Sequence, residues 1–489
     1  MAAPHVPFTC LALPERSSGV VLHPTSLPGP GPIGCFGRSA RAWVDWLSAA
    51  GFRWWQICPL GPTGYGDSPY QPLSVFALNP SLIDLEELVE VGLVESETLA
   101  TLSTPEGRVD YGRVWNLLRP VLHAAAEKAR ANPTKLERWG NFAAFRSREQ
   151  GWLSDWERFA ALRETNGFVA PANWKTLEVD AGACERAAIL QFIADAQWRS
   201  LHTYAAQRGV KILGDEPIYV SADGADRWAN PKLFSQGAVA GVPPDYFSNE
   251  GQLWGNPLYD WKQHQSEDFA WWRARVARDL ELFDAIRLDH FRGLCDFWAV
   301  PEDATTAREG SWQQGPGKAF FRALGPKPIV AEDLGLLSPG VHTLRAEANL
   351  PGMAVLQFGF PLTEDNPHHP TTITADRIAY TGTHDNDTVA GWISGLDAAT
   401  YDEVQVALGA TPSPQIVWHA VLASPAIGAF APVQDLLALG SEARLNTPGT
   451  ATGNWTWRMR GSDLAQLKKS TDSIRHQIEA TGRMGESRK

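Results

Sequence analysis

Short apolar runs that end on polar residues recur along this chain, with helix-like segments between them. The runs fall at residues 19–23, 53–58, 210–215, 283–289, 328–333, 354–360 and 378–383, and 433–439 is the candidate for an eighth. Residues 40–50 place Trp43, Trp46, Leu47 and Ala50 on one helical face, with Gly51 as a stop signal. A further helix is expected around 188–208. Strands alternating with helices argue for a parallel sheet. Eight such units with polar strand ends predict an α/β fold, a (β/α)8 TIM barrel with its site on the C-terminal face.

The length of 489 residues leaves room for large insertions in one barrel. We expect a single catalytic barrel over 1–489, interrupted at approximately 72–190 and 218–282. Phe142, Phe145, Trp152, Trp156 and Phe159 stand at helical spacings, so the first insertion is expected to be mainly a helical subdomain. The second holds Gly241-Val-Pro-Pro-Asp-Tyr-Phe247 and Gly251-Gln-Leu-Trp-Gly-Asn-Pro257. That mix of turn formers and aromatics suits an ordered region covering a substrate groove.

A net charge of −12 without a dense Lys/Arg run argues against a nucleic-acid partner. Five scattered cysteines, with no CxxC spacing, argue against a disulfide framework and a structural zinc site. No metal and no cofactor are expected. The apolar runs are too short for a membrane span, so a soluble protein of a reducing compartment, the cytoplasm, is expected. The 21 tryptophans belong mostly to the core, although aromatic faces also stack on the apolar faces of sugar rings.

Three strand ends carry carboxylates: Asp289 in Ala285-Ile-Arg-Leu-Asp-His290, Glu332 in Pro328-Ile-Val-Ala-Glu332, and Asp385 in Ile378-Ala-Tyr-Thr-Gly-Thr-His-Asp385. On a barrel they converge over its mouth. Retaining glycosidic chemistry needs one carboxylate as nucleophile and one carboxylic acid as proton donor, about 5–5.5 Å apart. Arg287 precedes Asp289 by two residues, so both side chains share a strand face and the guanidinium can orient the carboxylate. His290 and His384 are placed to donate to sugar hydroxyls, and Asp215 ends the third strand as a support for the site. Glu216, beside it, reads as rim structure or a solvated charge. Any one of these residues alone fits an ordinary structural role; three acidic strand ends with adjacent Arg and His fit packing poorly. Rival chemistries lack their motifs: there is no GxSxG, HExxH, Walker loop or GxGxxG after a strand. His368-His369 lacks metal-ligand spacing.

Long ordered motifs run through nearly the whole chain. They include Leu22-His-Pro-Thr-Ser-Leu-Pro-Gly-Pro30, Pro59-Leu-Gly-Pro-Thr-Gly-Tyr-Gly-Asp-Ser-Pro-Tyr-Gln71, Gly255-Asn-Pro-Leu-Tyr-Asp-Trp261, Ile286-Arg-Leu-Asp-His-Phe-Arg-Gly293, Tyr380-Thr-Gly-Thr-His-Asp-Asn-Asp-Thr388, Asn446-Thr-Pro-Gly-Thr450 and Asn454-Trp-Thr-Trp-Arg458. With these the chain closely resembles the amylomaltases, the 4-α-glucanotransferases or disproportionating enzymes of glycoside hydrolase family 77. The resemblance implies a double displacement on α-1,4-glucans (maltooligosaccharides or amylose). In it Asp289 matches the nucleophile, Glu332 the acid/base and Asp385 the transition-state stabiliser. Arg287, His384 and Asp215 match supporting positions, and Tyr70 matches an aromatic platform beside the scissile bond. Trp254 and Tyr246 resemble parts of a covering loop, Tyr65 an outer glucan contact, and Asn366 and His368 acceptor-side residues. Two departures from the family pattern stand out, the loop 30–37 and Glu216, where an apolar residue is usual. The competing readings are an α-amylase-like hydrolase and a non-catalytic glucan-binding protein.

Overall fold

The computed structural model describes residues 10–64, 66–244, 249–335, 337–363, 366–450 and 452–484. Eight parallel strands form a nearly closed barrel: β1 (Ser17–Val21), β2 (Trp54–Gln56), β3 (Lys211–Glu216), β6 (Ala285–Leu288), β9 (Ile329–Ala331), β10 (Gly352–Val355), β11 (Arg377–Tyr380) and β12 (Gly428–Pro432). Their spatial order is β10-β11-β12-β1-β2-β3-β6-β9. The last seam is bridged where the Ala331 N–H donates to the Pro351 carbonyl at 2.9 Å.

The two-residue side-chain period of a strand decides which residues enter the barrel. Val21, Trp54, Leu213, Ala285, Val330, Met353, Ile378, Tyr380 and Phe430 form one interior cluster, joined by Cys10, Ala12 and Leu13. Ile212, Ile286, Leu288, Ile329 and Ala331 instead pack in the larger core shared with the helices. Close packing demands glycine at two strand positions. A Cβ on Gly19 would lie 2.4 Å from the Phe430 ring, and one on Gly214 would lie 2.1 Å from the Phe283 ring.

The helix expected at 40–50 spans Arg38–Ala50, and Gly51 caps it in the left-handed conformation at φ 87°. The eighth strand is corrected. It lies at Gly428–Pro432, not at 433–439, which opens with the helix Val433–Leu436. Gly-Ala-Phe-Ala-Pro has no β-branched residue to announce a strand; pairing with β1 on one side and β11 on the other makes it one. The run at 354–360 likewise pairs only as Gly352–Val355 and then turns into the 3-10 segment Leu356–Gly359.

Between β2 and β3 the chain is helical, including Arg119–Ala131, Gln150–Thr165 and the long Ala181–Gln207. Between β3 and β6 it is not merely loop. The antiparallel strands β4 (Phe234–Val242) and β5 (Gln252–Tyr259) join β7 (Asp296–Pro301) and β8 (Ser311–Gln314) in a second sheet of order β5-β4-β7-β8. Among the described residues no helix is long and apolar enough to cross a membrane.

Candidate active site

The inward register that fills the barrel also places the site. Two residues beyond the interior Leu213 stands Asp215; two and four beyond Ala285 stand Arg287 and Asp289; two beyond Val330 stands Glu332. These side chains therefore meet at the C-terminal mouth, above a layer in which Tyr380 donates to Gln56 Oε1 at 2.8 Å.

Arg287 is the hub. Its Nη1 lies 2.8 Å from both carboxylate oxygens of Asp215 and 2.9 Å from Asp289 Oδ1. Asp215 and Arg287 are buried, whereas Asp289 remains 27% open, so one carboxylate serves as a brace and the other faces the cleft. Burial lifts the Asp215 carboxyl to about 6 despite the adjacent guanidinium. Asp215 Oδ2 also accepts from the Tyr70 hydroxyl at 2.7 Å. The Tyr70 ring stacks on His384 with centroids 4.8 Å apart, and Trp455 packs 5.7 Å from each of them.

Glu332 sits between two backbone donors. His290 N–H reaches Oε2 at 2.7 Å and Leu334 N–H reaches Oε1 at 3.0 Å. His290 can aim its N–H this way because its backbone is left-handed, at φ 48°. That conformation is uncommon for a non-glycine residue. Burial is the main force on the Glu332 carboxyl and raises it to about 7; Arg287 opposes the rise and Asp289 adds to it. Asp385 goes the other way. Burial would raise it, but His384, 3.2 Å away, and the Asn446 amide, donating at 2.6 Å, draw it down to about 2. Its side chain keeps 43% of its surface open, so solvent in the cleft screens part of that attraction. His290 is lowered to about 4 by burial and is neutral near pH 7, with its ring 4.8 Å from Trp254 on β5. The cleft thus holds one carboxyl raised to about 7, able to carry a proton near neutral pH, and one carboxylate held at about 2, which stays charged.

The structure thus brings together Asp289, Glu332, Asp385, Tyr70, Asp215, Arg287, His290, His384 and Trp254. Asn366 and His368 stand apart from these contacts. Asn366 spends its amide on Phe358 O and His368 N, and His368 Nδ1 accepts from Val355 N at the end of β10. Tyr65 and Tyr246 lie outside the described residues.

Glu216 is corrected: it is neither rim nor solvated. It points out of the barrel and is 1% exposed, with its carboxylate 2.7 Å from the buried Arg275 of the helix Ala270–Leu282. Strand alternation puts it on the face opposite Asp215, a signal present in the sequence. Three residues of the site were missed: Asn446, Arg444 (donating to Asp385 O at 2.6 Å) and Trp455. Asn446 and Trp455 stand in motifs that carried the family resemblance, but their loops have no periodicity to assign a direction. Among the described residues no group of three or more His, Cys, Asp or Glu is placed to hold a metal ion.

A family model described as 4-alpha-glucanotransferase matches residues 22–465. A 4-alpha-glucanotransferase of Thermus thermophilus is 42% identical, over 96% of this chain and 99% of the relative. One of Synechocystis sp. is also 42% identical, over 92% of this chain and 95% of the relative. Among solved structures, an amylomaltase from Streptococcus agalactiae in complex with acarbose superposes with a TM-score of 0.91 at 35% identity, covering 96% of this chain and 100% of that one.

Proposed function

This chain belongs to glycoside hydrolase family 77 and is a 4-α-glucanotransferase (EC 2.4.1.25), and on that premise we propose how its residues divide the reaction. Asp289 is the nucleophile. Its exposed carboxylate oxygen attacks the anomeric carbon of an α-1,4-glucan donor while Glu332 transfers its proton to the departing 4-oxygen. The C1–O4 bond breaks as the C1–Asp289 ester forms. The shortened glucan leaves, and the 4-hydroxyl of an acceptor enters. Glu332 now takes the acceptor's proton, O4 attacks C1, and the ester to Asp289 breaks. Two inversions give net retention.

Asp385 hydrogen-bonds sugar hydroxyls while the ring flattens toward the oxocarbenium ion. Its second-layer partners His384 and Asn446 hold it charged and oriented. Tyr70 offers its ring face to the sugar at the scissile bond, braced by Asp215 and His384. Transfer prevails over hydrolysis where subsites hold the acceptor in attacking geometry, because preorganisation raises its effective concentration, toward ~10⁵ M in good cases. When the acceptor is the donor's own far end, the product is a cyclic glucan. An α-glucan ligand is supported by the acarbose, a glucan analogue, bound to the S. agalactiae amylomaltase. The unpaired cysteines Cys10, Cys35, Cys58, Cys184 and Cys295 fit a reducing compartment, and we place the enzyme in the cytoplasm.

The observation that carries the role assignment is the 2.7 Å hydrogen bond from the His290 N–H, next to Asp289, to Glu332, together with the raised Glu332 carboxyl and the Arg287 contact that holds Asp289. Maltotriose is expected to yield glucose and a ladder of longer oligosaccharides at constant total reducing ends. Glu332→Gln treated with an activated α-maltosyl donor should accumulate a maltosyl ester on the peptide containing Asp289, read by mass spectrometry. An ester on another residue refutes the nucleophile assignment.

A further inference from the structure

Glu332 follows β9 at the place where the barrel is not closed by a strand ladder, since β9 and β10 stand at opposite ends of the strand order. Low in this seam the Ala331 N–H crosses to Pro351 O at 2.9 Å. Toward the mouth, side chains take over. The Met353 N–H donates at 2.7 Å to Asp333 Oδ1, and the Met353 carbonyl accepts from Arg377 Nη1 at 2.8 Å. Asp333 Oδ2 lies 2.8 Å from Arg377 Nη1 and 3.2 Å from Arg345 Nε. The Asp333 side chain is fully buried, and the two guanidinium groups compensate its charge. Glycine is needed opposite it, because a Cβ on Gly352 would lie 2.5 Å from Asp333 Oδ2.

Asp333 directly follows Glu332, so strand alternation turns its side chain away from the cleft. What it fixes is the backbone that presents Glu332. On the β6 side that backbone is held by two bonds of strand type, Glu332 N–H to Leu288 O and Phe291 N–H to Glu332 O, both 3.1 Å. On the β10 side the hold is the Asp333 carboxylate. Leu334, the next residue, supplies the N–H that reaches Glu332 Oε1 at 3.0 Å. A shift of Asp333 therefore moves the main chain that carries Glu332 and also one of the two donors that orient its carboxyl. Misplacing a reacting group by ~1 Å costs about 100-fold in rate.

We propose that Asp333 is a positioning residue for the transfer reaction. Its carboxylate stands in for β9–β10 pairing and so holds Glu332 where a proton can pass to the departing oxygen. This role rests on Glu332 being the acid/base.

Two donors separate the role from plain structural damage. Maltotriose needs a proton on its leaving oxygen, whereas α-maltosyl fluoride loses fluoride with little help from an acid. In the first turnover the C1–F bond breaks, the C1–Asp289 ester forms and fluoride departs. Rapid mixing without an added acceptor reads the rate of that step, and the burst amplitude counts folded sites. Asp333→Ala and Asp333→Asn are compared with the wild type and with Glu332→Gln. Per folded site, kcat on maltotriose is expected to fall about 100-fold in Asp333→Ala and about tenfold in Asp333→Asn, which keeps an acceptor for the Met353 N–H. The fluoride burst rate should stay within about threefold of the wild type in both. If Asp333→Ala does not fold, Asp333→Asn decides. A wild-type kcat on maltotriose in Asp333→Asn, or a parallel loss of both rates, overturns the positioning role while Glu332→Gln still separates the two donors. If Glu332→Gln does not separate them, the acid/base reading falls and the role of Asp333 with it.

Discussion

The backbone N–H of His290, the residue after Asp289, donates at 2.7 Å to the carboxylate of Glu332. With the backbone bonds Glu332 N–H to Leu288 O and Phe291 N–H to Glu332 O, both 3.1 Å, this hydrogen bond ties the end of β6 to the end of β9 and so brings the residues proposed as nucleophile and acid/base to adjoining strand ends. The Glu332 carboxyl is at about 7, so near neutral pH it is poised between donating and accepting. The first half-reaction needs it protonated. The donor kcat/KM is therefore expected to fall tenfold per pH unit above about 7. Asp385, at about 2, stays charged over the whole range and adds no limb. A profile still flat at pH 9 contradicts the assignment of Glu332 as acid.

The same group makes folding depend on pH. Its folded value lies above the 4.5 of the free side chain, so the native state holds the proton more tightly than the unfolded chain. Stability from this source is full below about 4.5, declines as pH rises to about 7 and is flat beyond. Glu332→Gln removes the dependence. It should stabilise the protein by about 1–3 kcal/mol at pH 8 and by little at pH 4, as read by urea unfolding.

Asn446 holds Asp385 Oδ1 with a 2.6 Å hydrogen bond. A hydrogen bond to a charged group contributes about 1.5–3 kcal/mol. Asn446→Ala is expected to lower kcat about 10–100-fold with the fold intact by circular dichroism. An unchanged kcat would mean that His384 alone orients Asp385.

Arg275 is fully buried against Glu216 and also donates to the backbone carbonyls of Pro217 and Ile218 and to the Tyr259 hydroxyl. Arg275→Ala should destabilise the fold by about 3–5 kcal/mol, because it strands the buried Glu216 and its neighbour Asp279. Protonation neutralises stranded carboxylates, so the loss should shrink as pH falls. A urea midpoint that shifts equally at pH 5 and pH 8 would argue against that origin.

Much of this was legible in order along the chain. Alternation within Leu213-Gly-Asp-Glu216, within Ala285 to Asp289 and within Val330-Ala-Glu332 states which side chains enter the barrel, and Asp215, Asp289 and Glu332 follow from it, whereas Asp385 lies beyond the end of its strand at Tyr380. It also states that Glu216 turns outward, although not that an arginine waits there. What the chain could not state by itself depends on distant partners. Gly428–Pro432 becomes a strand only because β1 and β11 flank it with open hydrogen-bonding edges. Asn446 and Trp455 reach the site on loops where no period dictates direction. The pKa of Glu332 rests on burial and on Arg287 and Asp289, which a different strand supplies, and Arg287 serves Asp215 and Asp289 together only once β3 and β6 are side by side. Local sequence sets backbone period and chemical type; long-range closure of the barrel sets burial and charged partners, and these together raise Glu332 and lower Asp385.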